Sequence, residues 1–396
     1  METGGCDRFK HGFRQRPFFR PGGAAAGREL PHRVWGFSMP VMDFAYGFQL
    51  IEPGKPLERI DLPPLQPSPK GVIVQVAGCG VCHTDIGFAV DGVPTRHPLP
   101  LILGHEISGH VVMAGDEVSE WIGRAVIIPA VVPCGACAAC RAGRPTICRD
   151  QFMPGNHGHG GFATHVQVPA NGLCPVPEDL PAGLTLEMLS VVADAVTTPL
   201  EAIHRADLSA ADIAVFIGAG GVGGFGVQLA AALGAEVIAI DIDARRLELA
   251  TSHGARLALD ASTTDFKEIR QAVRSFVRDS DRSPLGLKIF ETSGTPPGQE
   301  TAYGLLDPGA HLAVVGYTPR KIELRLSNLM AFDATAQGNW GSSPEIYPEA
   351  LRLVLEGNVI LEPFVETHPL EEAPAVLQAV AAHEISRRAI LVPSER

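Results

Sequence analysis

Apolar residues along this 396-residue chain change their spacing twice. From "YGFQLI" at residue 46 onward, short apolar runs such as "GVIVQVAG" and "RAVIIPA" are separated by Gly and Pro, which predicts short, irregular β-strands. From about residue 197 the texture becomes strand–helix alternation: "DIAVFIG", "GVQLAAALGA", "EVIAID", "ARRLELATSHG", "LKIFETSG", "HLAVVGY". Such alternation predicts a parallel, doubly wound sheet with helices on both faces. After about residue 338 the elements are mixed again. The pattern therefore predicts an α/β protein whose doubly wound domain, residues 197–337, is inserted between two pieces of a β-rich domain, residues 39–196 and 338–396. There is no internal repeat.

Residues 1–38 are rich in Arg and Gly without a period and are expected to be a disordered extension, or a segment upstream of a start at Met39 or Met42. They hold seven Arg/Lys against three Asp/Glu, so with a total of −12 the remainder carries −16. An acidic body argues against general nucleic-acid affinity. No apolar stretch of about 7–15 residues marks a secretory signal near the start. The run "IAVFIGAGGVGGFGVQLAAALGAEVIAI" is punctuated by glycine and contains Gln228 and Glu236, so it reads as strand, turn, helix and strand, not as a membrane span. The eight cysteines are then expected in a reducing cytoplasm, where clustering favours metal over disulfide.

"VFIGAGGVGG" sets Gly218, Gly220 and Gly223 between an apolar strand and an apolar helix, with Gly221 and Val222 completing the turn. This is the Rossmann dinucleotide fingerprint: tight turn, close backbone approach to a pyrophosphate, close helix packing, and a helix N-terminus for the phosphates. Asp241, at the end of the second strand, is placed to accept from both adenosine ribose hydroxyls and to repel a 2′-phosphate, which selects NAD over NADP. The competing reading is a glycine-rich packing turn with an unrelated aspartate.

Cys134, Cys137, Cys140 and Cys148 follow the spacing C-x2-C-x2-C-x7-C. Four thiolates on one loop can close a tetrahedron around Zn2+ and leave no open coordination position, so this predicts a structural clamp. An iron–sulfur cluster and disulfides are the alternatives. Cys82 in "GVCHTD" and His105 in "LGHE" suggest two ligands of a second zinc. On spacing alone, a buried free cysteine and a core histidine fit them equally well.

"GVCHTD", "GHEISG", the cysteine tetrad, "GGFATHVQVPA" and "GAGGVGGFGVQLA…IAIDID" together resemble the zinc-dependent medium-chain alcohol dehydrogenases over roughly residues 43–395. The resemblance implies a GroES-like fold for the β-rich part, with one catalytic and one structural zinc per chain and NAD as cofactor. It implies Cys82 and His105 as catalytic zinc ligands. Asp194 in "VVADAVTTPL" stands where relatives usually have a cysteine ligand; an N-cap role for it is the alternative. Glu106 falls beside the metal as a transient ligand or supporting group, Asp85 as the carboxylate that orients the ligand histidine, and Thr84 as the hydroxyl that takes the substrate proton. His83, Thr198 and Arg246 fall at cofactor positions. Gly87 replaces a residue that often relays the proton onward, so the relay shortens to nicotinamide ribose and water.

His157 and His159 in "GNHGHGG" read as a glycine-rich solvated loop and not as a third metal pair, and Cys79 and Cys174 as small buried hydrophobes. Asn339 and Trp340 stand either near the cofactor or in the core. Longer runs, among them "DGVPTRHPLPLILGHEISGHVV" and "TICRDQFMPGN", resemble more narrowly those members that oxidise a ring alcohol of a cyclic acyl-CoA. That implies a CoA-thioester substrate, with Arg96, Arg141, Arg144 and Lys321 as candidates to line its entry, and a homo-oligomer, dimer or tetramer. A free secondary alcohol or polyol as substrate, and a non-catalytic NAD-binding protein that kept only the structural zinc, are the alternatives.

Overall fold

A computed structural model describes residues 45–282 and 286–394; the expected extension over residues 1–38 lies outside them. The strands and helices run in the order β1 (Tyr46–Leu50), β2 (Glu58–Asp61), β3 (Gly71–Gly80), α1 (His83–Ala89), β4 (Leu101–Ile102), β5 (Glu106–Ala114), β6 (Ala125–Ile128), α2 (Ala138–Arg141), β7 (His165–Pro169) and β8 (Cys174–Pro175). Then follow α3 (Thr197–Arg205), β9 (Ile213–Ile217), α4 (Gly223–Ala232), β10 (Glu236–Asp241), α5 (Ala244–Ser252), β11 (Ala255–Asp260), α6 (Phe266–Asp279), β12 (Lys288–Glu291), α7 (Pro296–Gly304) and β13 (His311–Val314). The chain closes with α8 (Ser327–Ala331), β14 (Thr335–Gly338), α9 (Tyr347–Leu355), β15 (Val365–Pro369), α10 (Ala373–Ala381) and β16 (Arg388–Val392).

The middle of the chain forms a six-stranded sheet in the order β11-β10-β9-β12-β13-β14, parallel throughout. This is the Rossmann order, with its reversal between β9 and β12. Every residue of β9 is buried, as a central parallel strand covered on both faces requires. Phe216 of β9 and Phe290 of β12 stack with ring centroids 4.7 Å apart, fixing the two strands at the reversal. Asp265 caps α6 by accepting from the Glu268 amide at 2.9 Å, and Ile269 and Val273, four residues apart, bury its inner face.

The β-rich part is a seven-stranded sheet, β15-β16-β3-β5-β6-β8 with β7 also on β3, accompanied by the three-stranded β2-β1-β4. Here the strands pair antiparallel apart from β15 with β16, and β7 alternates buried and exposed positions. The last two strands of the chain return to pair beside β3, β16 on β3 and β15 on β16, after the six-stranded parallel sheet has been completed. Tyr347, Ala350, Leu351 and Val354 of α9 join neither sheet. They fill a core shared by Phe216, Phe225 and the segment Val191–Val196.

The glycine-punctuated apolar run is β9, α4 and β10. Among the described residues no helix is long and apolar enough to cross a membrane.

Gly223 sits where its missing side chain matters most. A Cβ there would lie 1.7 Å from the Gly218 carbonyl oxygen, a backbone atom that no rotamer change can move aside. Gly223→Ala should therefore destabilise the protein by about 2–3 kcal/mol, read as a lowered midpoint in thermal or denaturant unfolding. A wild-type midpoint would show that the turn has room to open.

Candidate active site

The turn from β3 into α1 places Cys82 at the N-terminus of α1, the turn into β5 places His105, and Asp194 ends a short 3-10 segment ahead of α3. Ligand atoms of Cys82, His105, Glu106 and Asp194 all lie within 4.8 Å of one another. Cys82 Sγ is 3.6 Å from Asp194 Oδ2, and His105 Nε2 is 3.8 Å from the same oxygen. Asp194 is not an N-cap: α3 starts after Val196 with no side-chain cap. Instead Asp194 turns into the cluster, where the Thr198 hydroxyl donates to its Oδ1 at 2.5 Å.

The supporting groups are backbone and carboxylate. Asp85 is fully buried; its Oδ2 accepts from the Cys82 amide at 2.9 Å and its Oδ1 from the Gly104 amide at 3.0 Å. Asp85 Oδ1 also faces His105 Nδ1 at 3.4 Å, so the ring turns Nε2 toward Cys82 and Asp194. Thr84 Oγ1 lies 3.7 Å from Cys82 Sγ. Tyr347, wholly buried, accepts from the Ala130 amide at 2.9 Å and donates to the Ala193 carbonyl, which pins the residue preceding Asp194.

Arg388, the first residue of β16, is central and was missed by sequence reasoning. Its Nε donates to Glu106 Oε2 at 3.0 Å and its Nη2 to Glu106 Oε1; Nη2 also stands 3.9 Å from Asp194 Oδ2. A Cβ on Gly221 would lie 3.1 Å from Arg388 Nη1, so one guanidinium touches both the ligand cluster and the dinucleotide turn. Both oxygens of Glu106 are thereby engaged by Arg388. No local motif marks an arginine 282 residues downstream of its partner.

The field of the cluster suits a divalent ion. Burial pushes the Cys82 thiol up, but Arg388 and the contact with His105 outweigh it and hold it below the ordinary thiol value. Burial opposes charge on His105, yet Asp85 and Asp194 raise it well above the usual histidine range; against its own burial, Asp194 is held low, chiefly by His105. A thiolate at Cys82 with Asp85, Glu106 and Asp194, three of them buried and Asp194 partly so, sets four negative charges against Arg388 and a protonated His105, a proton that a bound metal would displace. Such an excess calls for a cation, and one thiolate, one imidazole and one carboxylate form a zinc donor set that leaves a fourth position open.

The tetrad also converges. Cys137 Sγ lies 3.5 Å from Cys140 Sγ and 3.7 Å from Cys148 Sγ, while four sulfurs at about 2.3 Å from one tetrahedral ion sit roughly 3.8 Å apart. The amides of Ala136 and Cys137 donate to Cys134 Sγ, and that of Cys134 to Cys148 Sγ. Hydrogen bonds from Cys140 bring the Cys137 thiol down to about 6. All four are free thiols, arranged for metal and not for disulfides.

On the nucleotide side, the Gly218 amide donates to the Ile240 carbonyl at 2.8 Å, and a Cβ on Gly218 would meet Ser293 backbone at 2.7 Å, so the turn lies in the crevice between β9 and β12. Asp241 Oδ2 accepts from the Ala219 amide at 2.6 Å and Oδ1 from the Ile242 and Asp243 amides at 2.7 and 2.9 Å. Its charge is thus fixed at the mouth of the turn. Arg246 Nη1 would lie 3.4 Å from a Cβ on Gly220. His83 stacks on His383, ring centroids 5.8 Å apart, and the crowding around its ring together with Arg388, His383 and Arg246 lowers it from the ordinary histidine value. Gly87 faces Val93 and Tyr317. Trp340 is half exposed, with its Nε1 3.1 Å from the Gln151 amide once that amide is oriented to satisfy both its partners. Cys79 and Cys174 are buried. Arg141 donates to the Ala136 carbonyl, and Arg144 lines a separate cavity with Glu201 and Glu345.

A Rossmann sheet with its glycine turn, a metal-ready cluster beside it and a four-cysteine clamp define a two-domain, zinc-dependent dehydrogenase. Comparison with known proteins agrees. Residues 68–178 match the alcohol dehydrogenase GroES-like domain and residues 221–356 the zinc-binding dehydrogenase family. An alcohol dehydrogenase of Geobacillus stearothermophilus is 30% identical over 323 residues, 81% of this chain and 91% of that protein. Among solved structures, the alcohol dehydrogenase of Aeropyrum pernix superposes with a TM-score of 0.79 at 28% identity, covering 88% of this chain and 100% of that one. Galactitol-1-phosphate dehydrogenase of Escherichia coli gives 0.78 at 27%, with the same coverage. The chain belongs to the zinc-dependent medium-chain alcohol dehydrogenases, oxidoreductases that act on CH–OH donors.

Two outcomes follow. Metal analysis of the purified protein should give two zinc ions per chain, falling to one in Asp194→Ala and returning to two in Asp194→Cys; two in Asp194→Ala would remove this residue from the donor set. Arg388→Leu, which strands a buried Glu106, should lower stability by about 3–5 kcal/mol in denaturant unfolding.

Proposed function

We propose that this protein is an NAD-dependent dehydrogenase that oxidises the ring alcohol of 6-hydroxycyclohex-1-ene-1-carbonyl-CoA to the 6-oxo compound, a step of anaerobic benzoyl-CoA degradation. The observation that carries the dehydrogenase chemistry is the meeting of Cys82, His105 and Asp194 around one point, with the Thr84 hydroxyl beside Cys82 and the glycine turn reached through Arg388. The loop runs over residues 91–112 and 146–156 support the cyclic acyl-CoA substrate. When bound, zinc would supply Lewis acidity toward an alcohol oxygen, and NAD would accept one hydride, a hydrogen nucleus with two electrons, while the hydroxyl proton is released.

The chain's own residues do the rest. Thr84 Oγ accepts the hydroxyl proton of the alcohol and hands it outward. Neutral His83 takes no charge from that proton near pH 7. Gly87 offers no side chain to carry it further, so it leaves to solvent. Asp85 keeps the His105 ring oriented, and Arg388 keeps Glu106 out of competition for the reacting centre. Asp241, anionic and fixed by three amides, favours the free ribose hydroxyls of NAD over a 2′-phosphate. Conjugation of the new ketone with the ring alkene favours oxidation.

NADH formation from the CoA thioester should exceed that from the free hydroxy acid by at least a power of ten in kcat/KM; equal values would remove the acyl-CoA substrate and leave a dehydrogenase of free alcohols. Thr84→Val should cut kcat by about 10²–10⁴ with zinc content unchanged.

A further inference from the structure

Two loops pack together beside the turn that carries His105; their inner stretches contain no acidic residue, although Asp91 and Asp150 immediately precede them. Residues 92–104 read "GVPTRHPLPLILG" and residues 151–163 read "QFMPGNHGHGGFA", in a protein with 44 Asp and Glu. The first loop reaches the site through Val93, 3.6 Å from a Cβ placed on Gly87, with Tyr317 at 4.0 Å from the same point. The second packs beside His105 through its backbone, the Gly160 amide donating to the Ile102 carbonyl at 2.8 Å and the Gly161 amide to the Gly104 carbonyl at 2.9 Å.

Asn156, buried, stitches the loops together: its Oδ1 accepts from the Arg96 amide at 2.8 Å and its carbonyl from the His97 amide at 2.8 Å. This gathers Arg96, His97, His157 and His159 in one place, with the His97 and His159 ring centroids 5.4 Å apart. The Arg96 side chain is exposed and makes no ion pair or hydrogen bond with any described residue.

The tautomers are set by the backbone. His157 Nδ1 accepts from the Met153 amide at 3.3 Å, and His159 Nδ1 accepts from the Ile102 amide at 3.2 Å. A nitrogen that accepts carries no hydrogen, so each ring holds its proton on Nε2. His97 Nδ1 instead lies 2.6 Å from the Pro98 carbonyl, which can only accept, so it donates there and its Nε2 is the acceptor. Burial, with Arg96 beside His157 and His97 beside His159, lowers both rings, in keeping with the neutral form. Two N–H donors and an unpaired guanidinium are therefore gathered by these loops, and no carboxylate pairs with any of the three. Neutral imidazole donors do not repel the guanidinium, so Arg96, His157 and His159 can stand together near pH 7 as donors, while His97 contributes an acceptor.

We propose that Arg96, His157 and His159 form an anion site on the rim of the cleft that takes a phosphate group of the substrate. It rests on the acyl-CoA reading only for which phosphate is held; a CoA arm and a phosphorylated polyol present the same chemistry. A phosphate matches the donor set because its oxygens accept several charge-assisted hydrogen bonds at once.

The test uses the full-length, zinc-loaded enzyme at saturating NAD and compares two thioesters of the same ring acid, one with CoA and one with N-acetylcysteamine, which has no phosphate. The variants are Arg96→Ala and the double variant His157→Asn/His159→Asn; asparagine keeps an acceptor for the backbone amide and loses the outward Nε2–H. Each should raise KM for the CoA thioester about tenfold or more, leave kcat alone and leave KM for the phosphate-free thioester at the wild-type value. Arg96→Lys should restore part of the loss. Equal rises for both thioesters, which a packing defect would give, or no rise for either, overturns the site. If the wild type turns over neither thioester, the same variants are compared on a hexitol 1-phosphate and the free hexitol. A KM rise confined to the phosphate ester then upholds the site and removes the acyl-CoA substrate. No preference for the phosphorylated member in the wild type overturns the site.

Discussion

The buried guanidinium of Arg388 is the constraint on which the rest of the site depends. It neutralises Glu106 directly, stands within reach of Asp194, and lies against the glycine turn. Without it the cluster would hold four anionic groups against the His105 ring alone, three of them buried. Even with it the pocket is too negative to be stable when dry, and that imbalance is what a divalent cation answers. Because β16 carries the arginine to the heart of the β-rich sheet, the C-terminal strand is part of the reactive centre and not an appendage.

The two sheets meet where their chemistry must meet. The doubly wound sheet reverses between β9 and β12, and its glycine turn lies against Arg388 of β16, next to the strand ends from which Cys82 and His105 emerge. Tyr347 from α9 locks the segment that supplies Asp194, so a residue of the late chain sets the position of a ligand from the middle. Three distant stretches thus fix one ligand cluster: Val191–Val196 and Tyr347 pack in one core, and Val81, Leu103 and Ile107 beside Cys82 and His105 in another.

Much of this was legible in the sequence because period and spacing are local. The strand–helix alternation, the glycine turn with Asp241, and the tetrad of cysteines each lie within a few tens of residues, and each folds as that spacing predicts. Asp194 was legible as a candidate only through the resemblance; its turning away from the N-cap role needed the burial and the Thr198 contact. Arg388 and Tyr347 were not legible. Each acts across more than 150 residues, and an arginine opening a strand or a tyrosine in an amphipathic helix has no spacing that separates it from ordinary packing. Asn156 joins its loops in the same way, through backbone groups that sequence does not display.

An acidic protein that must hold anions has to place its cations sparingly, and the distribution here follows that rule. The far field of a body at −16 repels a dinucleotide or a phosphorylated substrate, but at a Debye length of about 8 Å that repulsion fades within a few side-chain lengths of the surface. What decides binding is then the local sign. Arg388 and Arg246 stand against the glycine turn, and Arg96 makes no ion pair with any described residue. Each cation is isolated from the acidic bulk by packing or by loop composition, so it is not spent in surface ion pairs. Selectivity for the anionic ligand is thereby built from the exclusion of carboxylates as much as from the presence of arginine.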